Sequence, residues 1–341
     1  MDLPVHLAVD TMSGDHGLRI AVPASLQALQ DDPQIHLHLV GDASSLEQAL
    51  ARYPDADLSR LDIVPAQSVI AMDAKPADAL RGGNDSSMHV ALDLLAQGRV
   101  SAVVSAGNTG ALMALSRRSI NMLHGLSRPA FCSALPVREG ACYMLDLGAN
   151  VDCNADNLHE FALMGTALVT ALGHADHPRV MLLSNGTESN KGNAVIKAAG
   201  EKLASDDRIN FCGFMEGNAI HSGDADLLVC DGLLGNVALK VAEGTAQLAS
   251  TMIVQEYAKH WWSRLLAVLS APLLKNLRRS LSADLHGGAF LLGLQGVVVK
   301  SHGGSSEAGF TAAIGQAALC VEHDMVARLT RHMNAQNQIH S

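Results

Sequence analysis

Carboxylates, imidazoles and lysines recur beside glycines at the ends of apolar runs, where a chain builds ligand loops. Asp10-Thr-Met-Ser-Gly-Asp-His-Gly17 sets Asp10, Asp15 and His16 after the first apolar run, a group able to orient an anionic nucleophile, take its proton or hold a metal. A metal is disfavoured, because Asp15 and His16 are adjacent and point apart and no His-x3-His or carboxylate cluster completes a site. Ser105-Ala-Gly-Asn-Thr-Gly110 opens an amphipathic run, so the backbone from Gly107 through Asn108 and Thr109 to Gly110 offers free N–H groups to phosphate or an oxyanion. A capped turn with Asn108 or Thr109 as N-cap fits the same residues equally well. Asn185-Gly-Thr-Glu-Ser-Asn-Lys-Gly-Asn193 places Lys191 and Asn193 at a helix start, a point charge for phosphate or an ordinary exposed junction. Asp231-Gly-Leu-Leu-Gly-Asn236, Lys300-Ser-His-Gly-Gly-Ser-Ser306 and the Asp146–Asp152 loop add Asp231, Asn236, His302 and Asn150. No Walker lysine, GxGxxG fingerprint or Gly-x-Ser-x-Gly elbow occurs, and no cysteine sits in an activating setting. His36 and His38 alternate on a strand and read as surface residues.

The elements that must carry these loops are short apolar runs alternating with helical patterns. Strands are expected at Pro4–Asp10, Ile35–Gly41, Leu61–Pro65, Val100–Ser105, Cys142–Leu147, Arg179–Ser184, Ile209–Phe214, Ala225–Cys230 and Gly296–Lys300. Helices are expected at Asp85–Ala96, Leu158–Leu172, Gly192–Leu203, Asn236–Tyr257 and Glu307–Met333. The alternation predicts a three-layer α/β/α unit with a mostly parallel sheet. It spans 1–341 as one domain, which could fold as two lobes around a cleft. Because ligands bind beyond the carboxyl ends of parallel strands, all six polar loops are expected along one edge of the sheet.

Composition limits the function. A net charge of −10 argues against nucleic-acid binding, which calls for a basic surface. The six cysteines lack CxxC spacing and read as reduced thiols, the start lacks a signal-peptide pattern, and no run is long enough to span a bilayer, so a cytoplasmic chain is expected. One stretch departs from the averages. Residues 259–281 hold Trp261, Trp262, Arg264, Leu265, Lys275, Arg278 and Arg279, both tryptophans of the chain among them, and residues 257–283 carry no acidic side chain. Pro272 splits the stretch, predicting a basic amphipathic hairpin at about 250–283 for an anionic membrane surface or an acidic carrier protein. Core or dimer contacts are the plainer use of the same residues.

Read together, the blocks resemble the acyl-ACP:phosphate acyltransferase family, PlsX. Its DAMGGDHAP corresponds to Asp10–Gly17, and its SAGNTGALMA stands unchanged at Ser105–Ala114. LLDVGANVD is matched by Met144–Asp152, the KGN loop by Thr187–Asn193, and CDGFTGNVxLK by Cys230–Lys240. YGGAPLLG and VxKxHGSS appear as His286–Gly293 and Val298–Gly304. Departures fall at Ser13, Gly17-Leu18, His286 and Gly304.

The resemblance implies a fold like those of the isocitrate and isopropylmalate dehydrogenases and of phosphotransacetylase. It also implies a homodimer, no metal or nucleotide cofactor, and acyl phosphate formation from acyl carrier protein and inorganic phosphate at the start of phospholipid synthesis. A downstream membrane acyl-phosphate acyltransferase would take the product. In that reaction Lys191 is assigned to phosphate or leaving-group charge and the Gly107–Gly110 backbone to phosphate or the oxyanion. Asp10, His16, Asp231 and His302 would orient groups or shuttle protons. A phosphotransacetylase using acyl-CoA is the nearest rival. A metal- and NAD-dependent dehydrogenase lacks its carboxylate set and fingerprint, and a non-catalytic scaffold would have no use for the polar loops.

Overall fold

The computed structural model describes residues 4–82, 84–260, 266, 270 and 288–334. Trp261, Trp262, Arg264, Leu265, Lys275, Arg278 and Arg279 lie outside these residues, as does most of the expected hairpin. In chain order the elements are β1 (Val5–Asp10), α1 (Leu18–Asp31), β2 (Ile35–Gly41), α2 (Ala43–Leu50), β3 (Leu61–Pro65), α3 (Pro76–Arg81), α4 (Ser87–Ala96), β4 (Ala102–Ser105) and α5 (Thr109–Ser119). There follow β5 (Ala130–Pro136), β6 (Ala141–Leu145), α6 (Ala155–Ala171), β7 (Arg179–Ser184), α7 (Ala194–Ala204), β8 (Asn210–Glu216), β9 (Leu227–Val229) and α8 (Gly232–Ala258). The described chain ends with β10 (Ala289–Leu292), β11 (Val297–Lys300), α9 (Glu307–Glu322) and α10 (Met325–Asn334).

Among the described residues all strands join one sheet, in the order β3-β2-β1-β4-β11-β10-β5-β6-β9-β7-β8. Its flanks are parallel, with residues such as Leu7, Leu37, Val104 and Leu182 fully buried. Strands buried on both faces read as continuous apolar runs, which is why they are visible in the sequence. Helices α1, α2, α6, α7, α9 and α10 supply one core cluster, and α3, α4 and α5 supply much of the other, which gives the α/β/α layering.

Every expected strand forms, but β5 and β10 were not expected. Both are antiparallel to their neighbours: β11 against β10, β10 against β5, and β5 against β6. Three reversals in a row turn the sheet over. Strands β6, β9 and β7 therefore run opposite to β1, β4 and β11, and the expectation of six loops on one edge fails. Loops Asp10–Gly17, Ser105–Gly110 and Lys300–Ser306 share one edge, while Asp146–Asp152, Asn185–Asn193 and Asp231–Asn236 share the other. The expected single helix Glu307–Met333 is also broken, at Asp324, whose φ of 51° lies in the left-handed region.

Candidate active site

At the first edge, Asp10, Ser105 and Lys300 stand in register on three adjacent parallel strands. Register puts their side chains on one face of the sheet. Asp10 is fully buried and accepts a hydrogen bond from Ser105 Oγ at 2.7 Å, while Ser105 Oγ accepts from the Gly107 N–H at 3.1 Å. This chain of bonds fixes the turn that leads into α5. Gly107 has no room for a side chain, since a Cβ would meet Met88 at 2.3 Å and Ser13 at 3.0 Å.

Lys300 is the residue that sequence reasoning passed over. Burial pushes its ammonium group down to about 8, the Lys240 cation adds to the fall, and Asp15 and Asp10 oppose it. A lysine closing the apolar run Val297–Lys300, at the start of a glycine-rich polar loop, was the available signal. A partly buried cation of this kind is suited to an anionic substrate or to developing negative charge.

Around this row the loops interlock. The Asp15 N–H donates to Gly303 O at 2.9 Å, and Ser301 Oγ and Ser305 Oγ share a hydrogen bond of 2.8 Å. Gly14 approaches Ala106 and Gly303 so closely, at φ 84°, that a Cβ would clash. His302 is exposed, and its Nδ1 accepts from the Gly304 N–H at 3.2 Å, so the neutral ring carries its proton on Nε2. His16 is also exposed and its Nδ1 lies 2.9 Å from Arg19. Ser13, standing where the PlsX motif has glycine, is buried, and its hydroxyl is without a hydrogen-bond partner in the structure. Ser13, His16, Ala106, His302, Gly303 and Ser305 line a narrow cavity of about 10 Å³.

Asn108 caps α5, accepting from the Ala111 N–H at 2.9 Å, and its amide donates to Met72 O at 2.6 Å and Ala74 O at 3.1 Å. Its side chain is thus committed to the cap and to the segment that leads into α3. The Gly107 N–H is committed to Ser105 Oγ, which leaves the N–H groups of Thr109 and Gly110 in the first turn of α5 as the ones without an intrahelical acceptor; Thr109 is exposed, while a Cβ at Gly110 would press on Pro76 at 2.8 Å.

The second edge is organised differently. Asp146, fully buried after β6, accepts from the N–H groups of Phe131, Gly148, Ala149 and Asn150 and from the Asn150 side-chain amide, at 2.7–3.2 Å. Burial raises its pKa and those donors oppose the rise. Asn150 gives its other amide hydrogen to Pro129 O at 2.8 Å, so its amide holds the loop together. Asp231 caps α8 through Leu234 N–H at 2.8 Å, and Asn193 caps α7 through Ile196 N–H at 2.9 Å. Gly235 is required where α8 crosses this loop, because a Cβ there would lie 1.9 Å from Asp146 O. Lys191 and Asn236 are exposed.

The four residues expected to do the chemistry therefore divide two and two: His16 and His302 at one edge, Lys191 and Asp231 at the other. Helix α8 links the edges. It begins beside Asp231, and nine residues later Lys240 lies close enough to depress Lys300.

A protein named Phosphate acyltransferase from Pseudomonas savastanoi pv. phaseolicola (strain 1448A / Race 6) is 49% identical over 329 residues, covering 96% of this chain and 96% of its own. EutD phosphotransacetylase from Staphylococcus aureus shares the fold with a TM-score of 0.60 at 16% identity, over 93% of this chain and 94% of its own. A branched-chain phosphotransacylase from Enterococcus faecalis V583 does so at 0.55 and 14% identity, over 96% and 99%. The likeness to the phosphotransacetylase fold that the motifs implied is thus present. With residues 5–328 matching the family described as Fatty acid synthesis protein, and with the seven motif blocks in order, the chain belongs to that family, PlsX.

Proposed function

We propose that this chain transfers a fatty acyl group from an acyl carrier protein thioester to inorganic phosphate. The observation that carries the reading is the row Asp10, Ser105 and Lys300 beside the start of α5, with the His302 Nε2–H at its mouth. Hydrogen phosphate is already an anion near neutral pH, so positioning and charge neutralisation matter more than a strong base. A phosphate oxygen attacks the thioester carbonyl, and the oxyanion forms within reach of Lys300 and the Gly107–Gly110 backbone. The carbon–sulfur bond then breaks, and the proton lost by phosphate goes to the carrier thiolate through His302 or His16.

Lys191 and Asp231 enter this reading through a second chain. Helix α8 exposes Leu233, Val237, Val241, Leu248 and Met252, spaced as one helical stripe that begins next to Asp231. A homodimer packed on that stripe would bring one protomer's second edge toward the other's first, and all four candidates would then serve one substrate. In the same reading the protein is a single-domain relative in fold of the isocitrate and isopropylmalate dehydrogenases. Its basic segment at about 250–283 docks the carrier protein or an anionic membrane surface, and the acyl phosphate passes to a membrane acyltransferase. None of the described helices is long and apolar enough to cross a membrane, which is compatible with peripheral docking.

The deciding experiment measures free carrier thiol released from palmitoyl-ACP with and without inorganic phosphate, with palmitoyl-CoA in parallel. Phosphate-dependent release from the carrier substrate is expected. Release from palmitoyl-CoA alone would make the chain a phosphotransacetylase-type enzyme, and release from neither would end the catalytic reading.

A further inference from the structure

Far from the Asp10 row, at the amino ends of β1 and β2, the structure gathers three histidines. His36 and His38 alternate on β2, so both project from one face, and parallel register places His6 of β1 directly beside His36. The sequence reading that made His36 and His38 surface residues is corrected here: His38 is 9% exposed, His6 stacks on His36 with centroids 4.8 Å apart, and the His38 ring lies tilted 5.2–5.3 Å from both. One ring nitrogen from each lies within 4.8 Å of the others, and His6 Nδ1 and His38 Nε2 share a proton at 3.0 Å. Asp62 of β3 completes the group, 2.9 Å from His36 Nε2 and 3.4 Å from His38 Nδ1.

We propose that His6, His36 and His38 form a binding site for Zn2+ or a similar imidazole-preferring divalent cation, with Asp62 as the carboxylate that orients two of the ligands. The donor set fits on two counts. Zinc takes neutral imidazole nitrogens at about 2.0–2.1 Å, which in a tetrahedron sets the nitrogens ~3.4 Å apart. The present cluster brackets that spacing, so small side-chain rotations suffice. Asp62 accepts the ring N–H of His36 at 2.9 Å and lies 3.4 Å from His38 Nδ1, which turns the other nitrogen of each toward the cluster, the arrangement by which carboxylates tune metal-bound histidines.

On binding, the proton between His6 Nδ1 and His38 Nε2 moves to the far nitrogen of His6, and water fills the fourth position from the side where Asp62 is exposed. Arg99 is the nearby charge that opposes a cation. A bound ion would clamp β1 to β2, and β1 leads straight into the Asp10 row.

The test uses untagged, chelator-treated full-length protein, titrated with ZnCl2 by calorimetry and with Co2+ by visible absorption. One equivalent per chain is expected, with the intense bands of tetrahedral Co2+ and a rise in melting temperature with free Zn2+. Asp62→Asn should weaken binding by about 10–100-fold. A His6→Asn/His36→Asn variant should lose the equivalent while phosphate-dependent acyl transfer is unchanged. If that double variant fails to fold, the exposed-side replacement His36→Asn alone carries the same reading. Absence of a tetrahedral Co2+ spectrum, or retention of the Zn2+ equivalent at unchanged affinity in the histidine variants, would overturn the proposal.

Discussion

Asp10 and Asp146 occupy equivalent places, each wholly buried where a strand ends, yet they do different work. Asp146 is saturated by donors from its own loop, and nothing is left over for a ligand. Asp10 takes one hydroxyl and a long backbone contact, and it stands in register with a serine and a partly buried lysine. A saturated carboxylate builds a loop, whereas a sparsely bonded one beside a depressed lysine builds a site. The first edge is therefore where chemistry should reside within one chain, and the second edge is where a partner would contribute.

The largest effects test that division directly. Lys300→Ala should lower phosphate-dependent turnover by about 10²-fold or more, the scale for removing one group that stabilises transition-state charge. Lys191→Ala should also remove most turnover, but from a partner's side of the site. Mixing the two inactive variants after denaturation and refolding should restore about a quarter of the wild-type rate, because half of randomly mixed dimers carry one intact composite site. If the mixture stays inactive while each variant is dimeric and folded, the two lysines serve one chain and the cross-chain reading is lost. Val241→Asp on the α8 stripe should yield monomers by light scattering and lose activity with them. An active monomer would place the whole site at the first edge.

How much of this could be read in the sequence depended on whether burial or direction was at issue. The parallel strands announced themselves because both faces are buried, as in Ala102–Ser105 and Val297–Lys300. The polar loops were visible because glycine must stand wherever backbones touch, as at Gly14 and Gly235. Direction was not legible. Strand β10 is four residues of Ala289–Leu292 with no alternation, and β5 ends on a proline, so neither marked itself as the reversal that separates Lys191 from His302. Likewise nothing local tells a carboxylate such as Asp146, bonded within its own loop, from Asp10. Asn108 was readable as either cap or ligand, and the cap is what its carbonyl makes.

Stability should separate the two carboxylates next. Asp146→Ala strands five donors in a buried loop and should cost about 3–5 kcal/mol in denaturant unfolding, enough to be visible without any assay. Asp10→Asn keeps an acceptor for Ser105 and should cost less stability but more activity. Equal stability losses would erase the distinction between a loop-building and a site-building carboxylate. Asn108→Ala removes the α5 cap and the bonds to Met72 and Ala74, a change worth about 1–2 kcal/mol. Its activity should fall only as far as the loosened α5 start allows.

The smallest effect sharpens the account of Lys300. A lysine holds its proton to 10.5 when unperturbed, whereas this one releases it at about 8 in the folded chain. Between those values the unfolded chain binds more protons than the folded one, so this group makes stability rise with pH across the window. Below pH 8 both states are protonated and the burden of holding a desolvated cation is full and constant. Lys300→Met removes the group with little change in shape. Plotted against pH, wild-type stability minus variant stability should be flat below about 8, climb from there to about 10.5, and level off. The many other titrating groups cancel in that difference. A flat difference throughout would mean that Lys300 titrates as a solvated lysine, and the desolvated cation at the heart of the Asp10 row would have to be given up.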